Sequence, residues 1–239
     1  MAPEPLVRSV VARREPGRWP WTIPALAALD ELPLDPAVTF LVGENGSGKS
    51  TLIEGFAVAA GFHPEGGSLG FGARTRDEAP PLADALTLVR GARRPKTGFF
   101  LRAESFFNVA TALESEHAWA LEAYGGESLH ARSHGEGFLA LAVHRFGPNG
   151  LYVLDEPEAA LSPQGLLTLM RRLHELAAAG SQFLIATHSP ILLAYPGALI
   201  YELTGDGPVP TAYADTEHYR MTRAFLDAPE RFLRELLGN

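Results

Sequence analysis

Two kinds of apolar stretch alternate along this chain. Short runs without polar alternation, at residues 38–42, 151–154 and 182–186, are separated by longer stretches with helical spacing at 51–60, 137–146 and 163–179. Strands with no polar face are buried on both sides, so the pattern predicts an α/β fold with a mostly parallel sheet covered by helices. The leading segment 6–14, with Val7, Val10 and Val11, and the short stretch 21–23 read as strands of an added antiparallel β layer. Residues 86–90 and 98–102 read as a hairpin whose tip is 91–97, and 104–119 as a helix. Between them, 61–80 is rich in glycine, proline and charge and reads as a surface loop. Edge strands are expected at 198–203 and 209–213 around Gly205-Asp206-Gly207, followed by a helical tail from Thr216 broken at Pro229.

With 239 residues, 46% of them hydrophobic, the chain can bury one sizeable core, and a single domain over 1–239 is expected. No uninterrupted apolar stretch is long enough for a membrane span, and the first residues lack the basic start of a signal peptide, so a cytoplasmic protein is expected. The absence of cysteine excludes disulfides, thiolate metal sites and cysteine nucleophiles, leaving oxygen or histidine ligands for any metal. A net charge of −8 argues against a surface that is basic overall. Local patches stay open: Arg90, Arg93, Arg94 and Lys96, around the 91–97 tip, read either as phosphate contacts for nucleic acid or as a solvated loop.

The chemistry concentrates where apolar runs end. Gly43-Glu44-Asn45-Gly46-Ser47-Gly48-Lys49-Ser50-Thr51 satisfies G-x-x-x-x-G-K-[ST] and lies between a buried strand and a helix. Glycines there let backbone N–H groups close around phosphate oxygens, Lys49 supplies positive charge, and the helix N-terminus favours anions. A P-loop NTPase fold and nucleotide binding follow. The run 151–154 ends in Asp155-Glu156, which puts Asp155 beside the loop, where it can hold Mg²⁺ through water while Ser50 coordinates directly. Glu156 can then polarise an attacking water. Thr187-His188-Ser189 follows the next buried strand, so His188 reaches the same edge and can hydrogen-bond a γ-phosphate; the other seven histidines show no ligand-like spacing. Ser133-His134-Gly135-Glu136-Gly137 at a helix start reads either as a second anion site or as an ordinary N-cap with glycine flexibility.

Taken in order, these parts resemble the ATP-binding-cassette class of P-loop ATPases. That class carries a phosphate loop, a serine-glycine signature, an Asp-Glu strand end, a dimer-contact loop and a switch histidine; this chain carries 43–51, 133–137, Asp155-Glu156, Glu158-Ala159-Ala160-Leu161-Ser162 and His188. Ser133 precedes Asp155 by 22 positions and His188 follows it by 33, both close to the family pattern. The resemblance implies ATP and Mg²⁺ as cofactors, hydrolysis, and two copies facing head to tail. In such a homodimer Ser133 and Gly135 of one copy would close on ATP held by the other. It further implies catalytic roles for Lys49, Glu156 and His188, with Ser50 and Asp155 on the metal.

Three departures from the family qualify the expectation. His134 and Glu136 stand where glycine and glutamine are usual, and no glutamine precedes Asp155, so Glu104 is the candidate to reach metal or water in its place, or else an ordinary first-turn glutamate. The short interval from Glu104 to Ser133 counts against a membrane-transport subunit, and no heptad-bearing insertion suggests coiled-coil arms. The chain looks most like the compact soluble AAA/ABC-like ATPases. The leading expectation is a switch ATPase acting in nucleic-acid maintenance or defence, with a transporter subunit or a non-hydrolysing sensor as alternatives and the protein or nucleic-acid partner left open.

Overall fold

The computed structural model describes residues 4–69, 80–103 and 133–238. Two sheets make up its frame. The smaller is antiparallel and three-stranded, in the order β2-β1-β5, from β1 (Val7–Ala12), β2 (Glu31–Pro33) and β5 (Leu86–Arg90). The larger has seven strands in the order β10-β9-β3-β8-β7-β6-β4, from β3 (Val38–Val42), β4 (Gly67–Ser68), β6 (Thr97–Arg102), β7 (Gly150–Asp155), β8 (Gln182–Ala186), β9 (Leu199–Thr204) and β10 (Gly207–Pro210). Strands β9, β3, β8, β7 and β6 are mutually parallel, and the edge strands β10 and β4 pair antiparallel.

Alternate residues of each central strand enter two separate cores, because successive side chains point to opposite faces. Phe40, Leu101, Tyr152, Leu154, Phe183 and Ile185 pack on one side with α3 (His134–Arg145), α4 (Pro163–Ala178) and α5 (Pro190–Leu193). Leu41, Phe100, Leu151, Val153 and Leu184 pack on the other with α1 (Pro24–Ala27), α2 (Lys49–Ala60) and the antiparallel layer. Every residue of β3, β7 and β8 is buried, which is why these runs contain no polar alternation. The one amide among them, Gln182, is fully used: its Oε1 accepts from the Leu6 and Val7 N–H groups, and its Nε2 donates to the Val7 and Asp35 carbonyls. That side chain joins the two sheets.

The remaining helices are α6 (Glu217–Asp227) and α7 (Pro229–Leu237), separated at Ala228 as Pro229 requires. Two expectations need correction. Residues 21–23 form no strand; they turn into α1, whose packing buries Trp21. Nor do β5 and β6 pair as a hairpin: β5 joins β1 in the small sheet, whereas β6 runs parallel to β7 in the large one. Apolar composition made both strands visible, but their partners were fixed by long-range burial, which short-range turn signals do not encode. Within the 61–80 loop the short strand β4 pairs with β6, and the 104–119 helix lies outside the described residues. No described helix is long and apolar enough to cross a membrane.

Candidate functional site

The parallel strands β3, β8 and β7 end at one edge, and the segments leaving them carry the candidate chemistry. Leaving β3, residues 43–48 turn sharply into α2. Gly43 has φ +151, and a Cβ there would stand 2.9 Å from the Leu203 carbonyl oxygen, so the turn admits only glycine at this position. Gly48 enters α2 at φ 98 with no side-chain cap, which leaves the first N–H groups of the helix turned toward the loop.

Lys49, at the first position of α2, is only 4% exposed. Its Nζ donates to the carbonyls of Gly43 at 2.8 Å and Glu44 at 2.9 Å, so the loop wraps its own lysine. Burial lowers the ammonium pKa from its usual value, and the carboxylates of Glu156, Asp155 and Glu158 oppose that shift. Next to it, Ser50 Oγ stands 3.4 Å from Asp155 Oδ1. The other oxygen of Asp155 faces Arg102 Nε at 3.6 Å, and Arg102 also reaches Glu54 Oε2 of α2 at 3.4 Å. The β6–β7 register pairs Arg102 with Asp155 directly. Sequence reading overlooked Arg102, and the signal that could have found it is a charge closing an otherwise apolar buried run.

A hydroxyl and a carboxylate oxygen side by side form the hard-oxygen donor pair that Mg²⁺ accepts alongside phosphate and water. Among the described residues no group of three His, Asp or Glu could hold a metal by itself. Ser50 and Asp155 therefore fit a magnesium ion brought in with a nucleotide. Glu104 lies outside the described residues.

Glu156 leaves β7 with φ 49 and ψ 53, a left-handed conformation costly for a residue with a Cβ. Its N–H donates to the Ala186 carbonyl of β8, which fixes the turn, and its Oε1 stands 3.4 Å from His188 Nε2. Glu158, two residues on, accepts from Thr187 Oγ1 at 2.8 Å and from the His188 N–H. The 158–162 segment thus clamps the backbone of His188. Burial is the main cause of a raised Glu158 pKa, which its backbone and hydroxyl bonds partly offset.

A carboxyl with a raised folded pKa binds more protons folded than unfolded. Its contribution to stability is complete below the ordinary value of 4.5 and is lost as pH rises through the folded pKa. Glu158→Gln, which keeps an acceptor for the His188 N–H and a donor for Thr187, should flatten that fall. Urea unfolding at pH 5 and pH 8 checks this; an equal loss of stability in both proteins would reject it.

His188 itself is only partly exposed, and burial, Lys49 and His218 lower its pKa against the opposing pull of Glu156. Its Nδ1 lies 2.7 Å from Nε2 of His218 in α6. Sequence spacing gave no reason to couple His218 to this edge, because 30 residues separate the two rings. Only the packing of α6 beside α5 brings them together.

A cleft of about 960 Å³ opens beside the phosphate loop, floored by Gly43, Glu44, Asn45, Gly46 and Ser47. Its walls are α1, the turn after β9, and Arg220, Met221, Ala224 and Phe232 of the C-terminal helices. A smaller recess of about 470 Å³ lies between Glu44, Asn45, His188 and the start of α6. Thr51 continues α2 behind the loop. The structure therefore gathers residues 43–51, Asp155, Glu156 and His188 at one edge.

Ser133 and Gly135 line neither recess. Ser133 caps α3 in a capping box: its Oγ accepts from the Glu136 N–H, and Glu136 Oε2 accepts from the Ser133 N–H at 3.0 Å and hydroxyl at 2.6 Å. Glu136, which stands where the resembled class usually has glutamine, is therefore the partner that orders Ser133. Gly135 packs on the 158–162 segment, where an added Cβ would stand 2.8 Å from the Ala160 carbonyl oxygen. Of the four basic residues around the 91–97 tip, Arg93 is engaged internally, with Nη1 on Asn149 Oδ1 at 3.0 Å and Nη2 on the Glu4 carbonyl at 2.6 Å. It ties the N-terminus to the loop before β7.

Residues 97–194 match the family described as "AAA domain, putative AbiEii toxin, Type IV TA system". No curated protein matches the chain in sequence. Among solved structures, a nucleotide-free ATP-binding cassette from an ABC transporter matches over 93% of this chain and 94% of its own, with 17% identity and a TM-score of 0.50. CbiO1 from Clostridium perfringens, part of the ABC transporter complex cbiONQ, matches over 94% and 96%, with 16% identity and a TM-score of 0.50. The SMC head domain from Thermotoga maritima matches over 86% and 98%, with 18% identity and a TM-score of 0.47. At such identities the likeness concerns the fold. The chain therefore has the P-loop NTPase fold of ATP-binding cassettes, and the order of its motifs is similar to theirs.

Proposed function

We propose that this protein binds ATP with Mg²⁺, hydrolyses it, and cycles between separate chains and a head-to-tail dimer with ATP at the interface. The observation that carries the reading is the convergence of Lys49, Ser50, Asp155, Glu156 and His188, from α2 and the ends of β7 and β8, beside a cleft floored by the phosphate loop. Lys49 would exchange its bonds to the Gly43 and Glu44 carbonyls for phosphate oxygens. Ser50 and Asp155 would hold Mg²⁺, which supplies charge neutralisation on the phosphates. Glu156 would accept a proton from water as its oxygen bonds the γ-phosphorus and the bond to the bridging oxygen breaks, releasing ADP and phosphate. His188 would hold a γ-phosphate oxygen. The capped start of α3, which lines neither recess, supports a role for Ser133 and Gly135 on the nucleotide of a second copy.

The test is phosphate release and fluorescent-nucleotide binding with and without Mg²⁺. Wild type should turn over ATP, and Lys49→Ala should lose both binding and turnover. Wild-type release no higher than Lys49→Ala, with binding retained, would replace the hydrolase by a nucleotide sensor. Recovery of a multi-span partner from membranes would point instead to a transporter subunit. A role in nucleic-acid maintenance or defence would rest on Arg90, Arg94 and Lys96, since Arg93 is committed within the chain.

A further inference from the structure

We propose that His218 is a positioning residue for the hydrolytic edge: by donating Nε2–H to His188 Nδ1, it holds His188 in the tautomer that carries its proton on Nε2. The inference rests on the hydrolase reading for its functional consequence, but not for its geometry.

Two facts restrict how the pair can share protons. The rings meet through His188 Nδ1 and His218 Nε2 at 2.7 Å, so one of these nitrogens donates and the other accepts. The outer nitrogens, His188 Nε2 and His218 Nδ1, are buried, and among the described residues neither has a hydrogen-bond partner of good geometry. His188 Nε2 nevertheless faces Glu156 Oε1 at 3.4 Å.

Suppose first that His188 donates. Its Nε2 then presents a lone pair to the Glu156 carboxylate, and His218 must carry a buried proton on Nδ1 with no acceptor. Both features are unfavourable. Suppose instead that His218 donates. His188 then points an N–H at Glu156, and the only unsatisfied atom is the acceptor Nδ1 of His218. The second arrangement satisfies more of the site, and burial together with nearby Lys49 and His218 favours the neutral ring it requires.

The consequence is chemical. A histidine with its proton on Nε2 can donate to a phosphate oxygen entering between Glu156 and the phosphate loop; the other tautomer presents a lone pair and repels it. Glu158, which accepts from the His188 backbone N–H, fixes the ring's attachment, while His218 fixes the ring's proton. Because His218 is the second residue of α6, the position of the C-terminal helices sets the state of a residue that leaves β8.

Nitrogen-15 NMR of histidine-labelled protein without nucleotide tests the assignment, with the His188 signals identified by their loss in His188→Gln. The expected result is a single Nε2–H tautomer at His188 in wild type and a mixture in His218→Ala. In steady-state ATP turnover, His218→Ala should lower kcat by about tenfold, the lower end for loss of a group that orients a histidine, with KM within about twofold. His218→Gln, whose amide N–H sits where the imidazole Nε2–H was, should restore both the tautomer and most of kcat. A proton on Nδ1 of His188 in wild type overturns the proposal, as does a His218→Ala protein with unchanged tautomer and kcat. If wild type proves unable to hydrolyse ATP, the hydrolase reading fails while the tautomer still decides the assignment.

Discussion

Glu156→Gln is expected to lower phosphate release by at least about a hundredfold, the lower range for loss of a positioned general base, while leaving ATP binding intact. The substitution keeps the side-chain size and leaves the backbone at φ 49, whose N–H bond to the Ala186 carbonyl does not involve the side chain. It removes only the ability to take a proton. ATP should then persist between two copies, so scattering after size exclusion should report twice the 25.7 kDa of one chain with ATP and Mg²⁺, and one chain without them. Full turnover would show that another group deprotonates water. Lost turnover with a chain that stays single in ATP would break the link between nucleotide and dimer.

Ser133→Asp should abolish that ATP-dependent dimer while the fold stays within about 1 kcal/mol of wild type. Aspartate is as good an N-cap as serine, so α3 keeps an acceptor for the Glu136 N–H. What changes is charge: a carboxylate would stand where the proposed interface brings a triphosphate, beside Glu136, which already contributes one negative group. Some stability loss from the Asp–Glu contact is included in that figure. Ser133→Ala gives the complementary result, with capping weakened by about 1 kcal/mol and no new repulsion. Size exclusion of Ser133→Asp in the Glu156→Gln background measures the effect directly. A dimer that survives would mean α3 serves only as a scaffold, and that the serine-glycine start of the helix does not meet ATP.

Much of the large sheet was legible because full burial on both faces leaves an unmistakable apolar run; 182–186 corresponds to β8 residue for residue, and 38–42 to β3. The phosphate loop was legible because glycine at positive φ and a lysine at a helix start have few other uses. Pairing was less accessible. Strands β5 and β6 are adjacent in sequence yet go to different sheets, and no local signal distinguishes that from a hairpin. The site was read only as far as motifs extend. Arg102 and His218 belong to no motif, and each reaches the edge through tertiary packing, one by strand register and the other by a helix docked from the tail. Arg93 was left open for the converse reason: composition shows a basic loop but not that its guanidinium is occupied by Asn149 and Glu4.

The Gln182 amide sits at the first residue of β8, whereas the candidate chemistry sits past the last. The bridge between the two sheets therefore lies at the opposite end of β8 from the phosphate loop. A tilt of the three-stranded layer about that bridge would move the atoms next to it least and those near the phosphate loop most. A small rotation about it would grow toward the phosphate-loop edge without breaking the four bonds that fix the bridge.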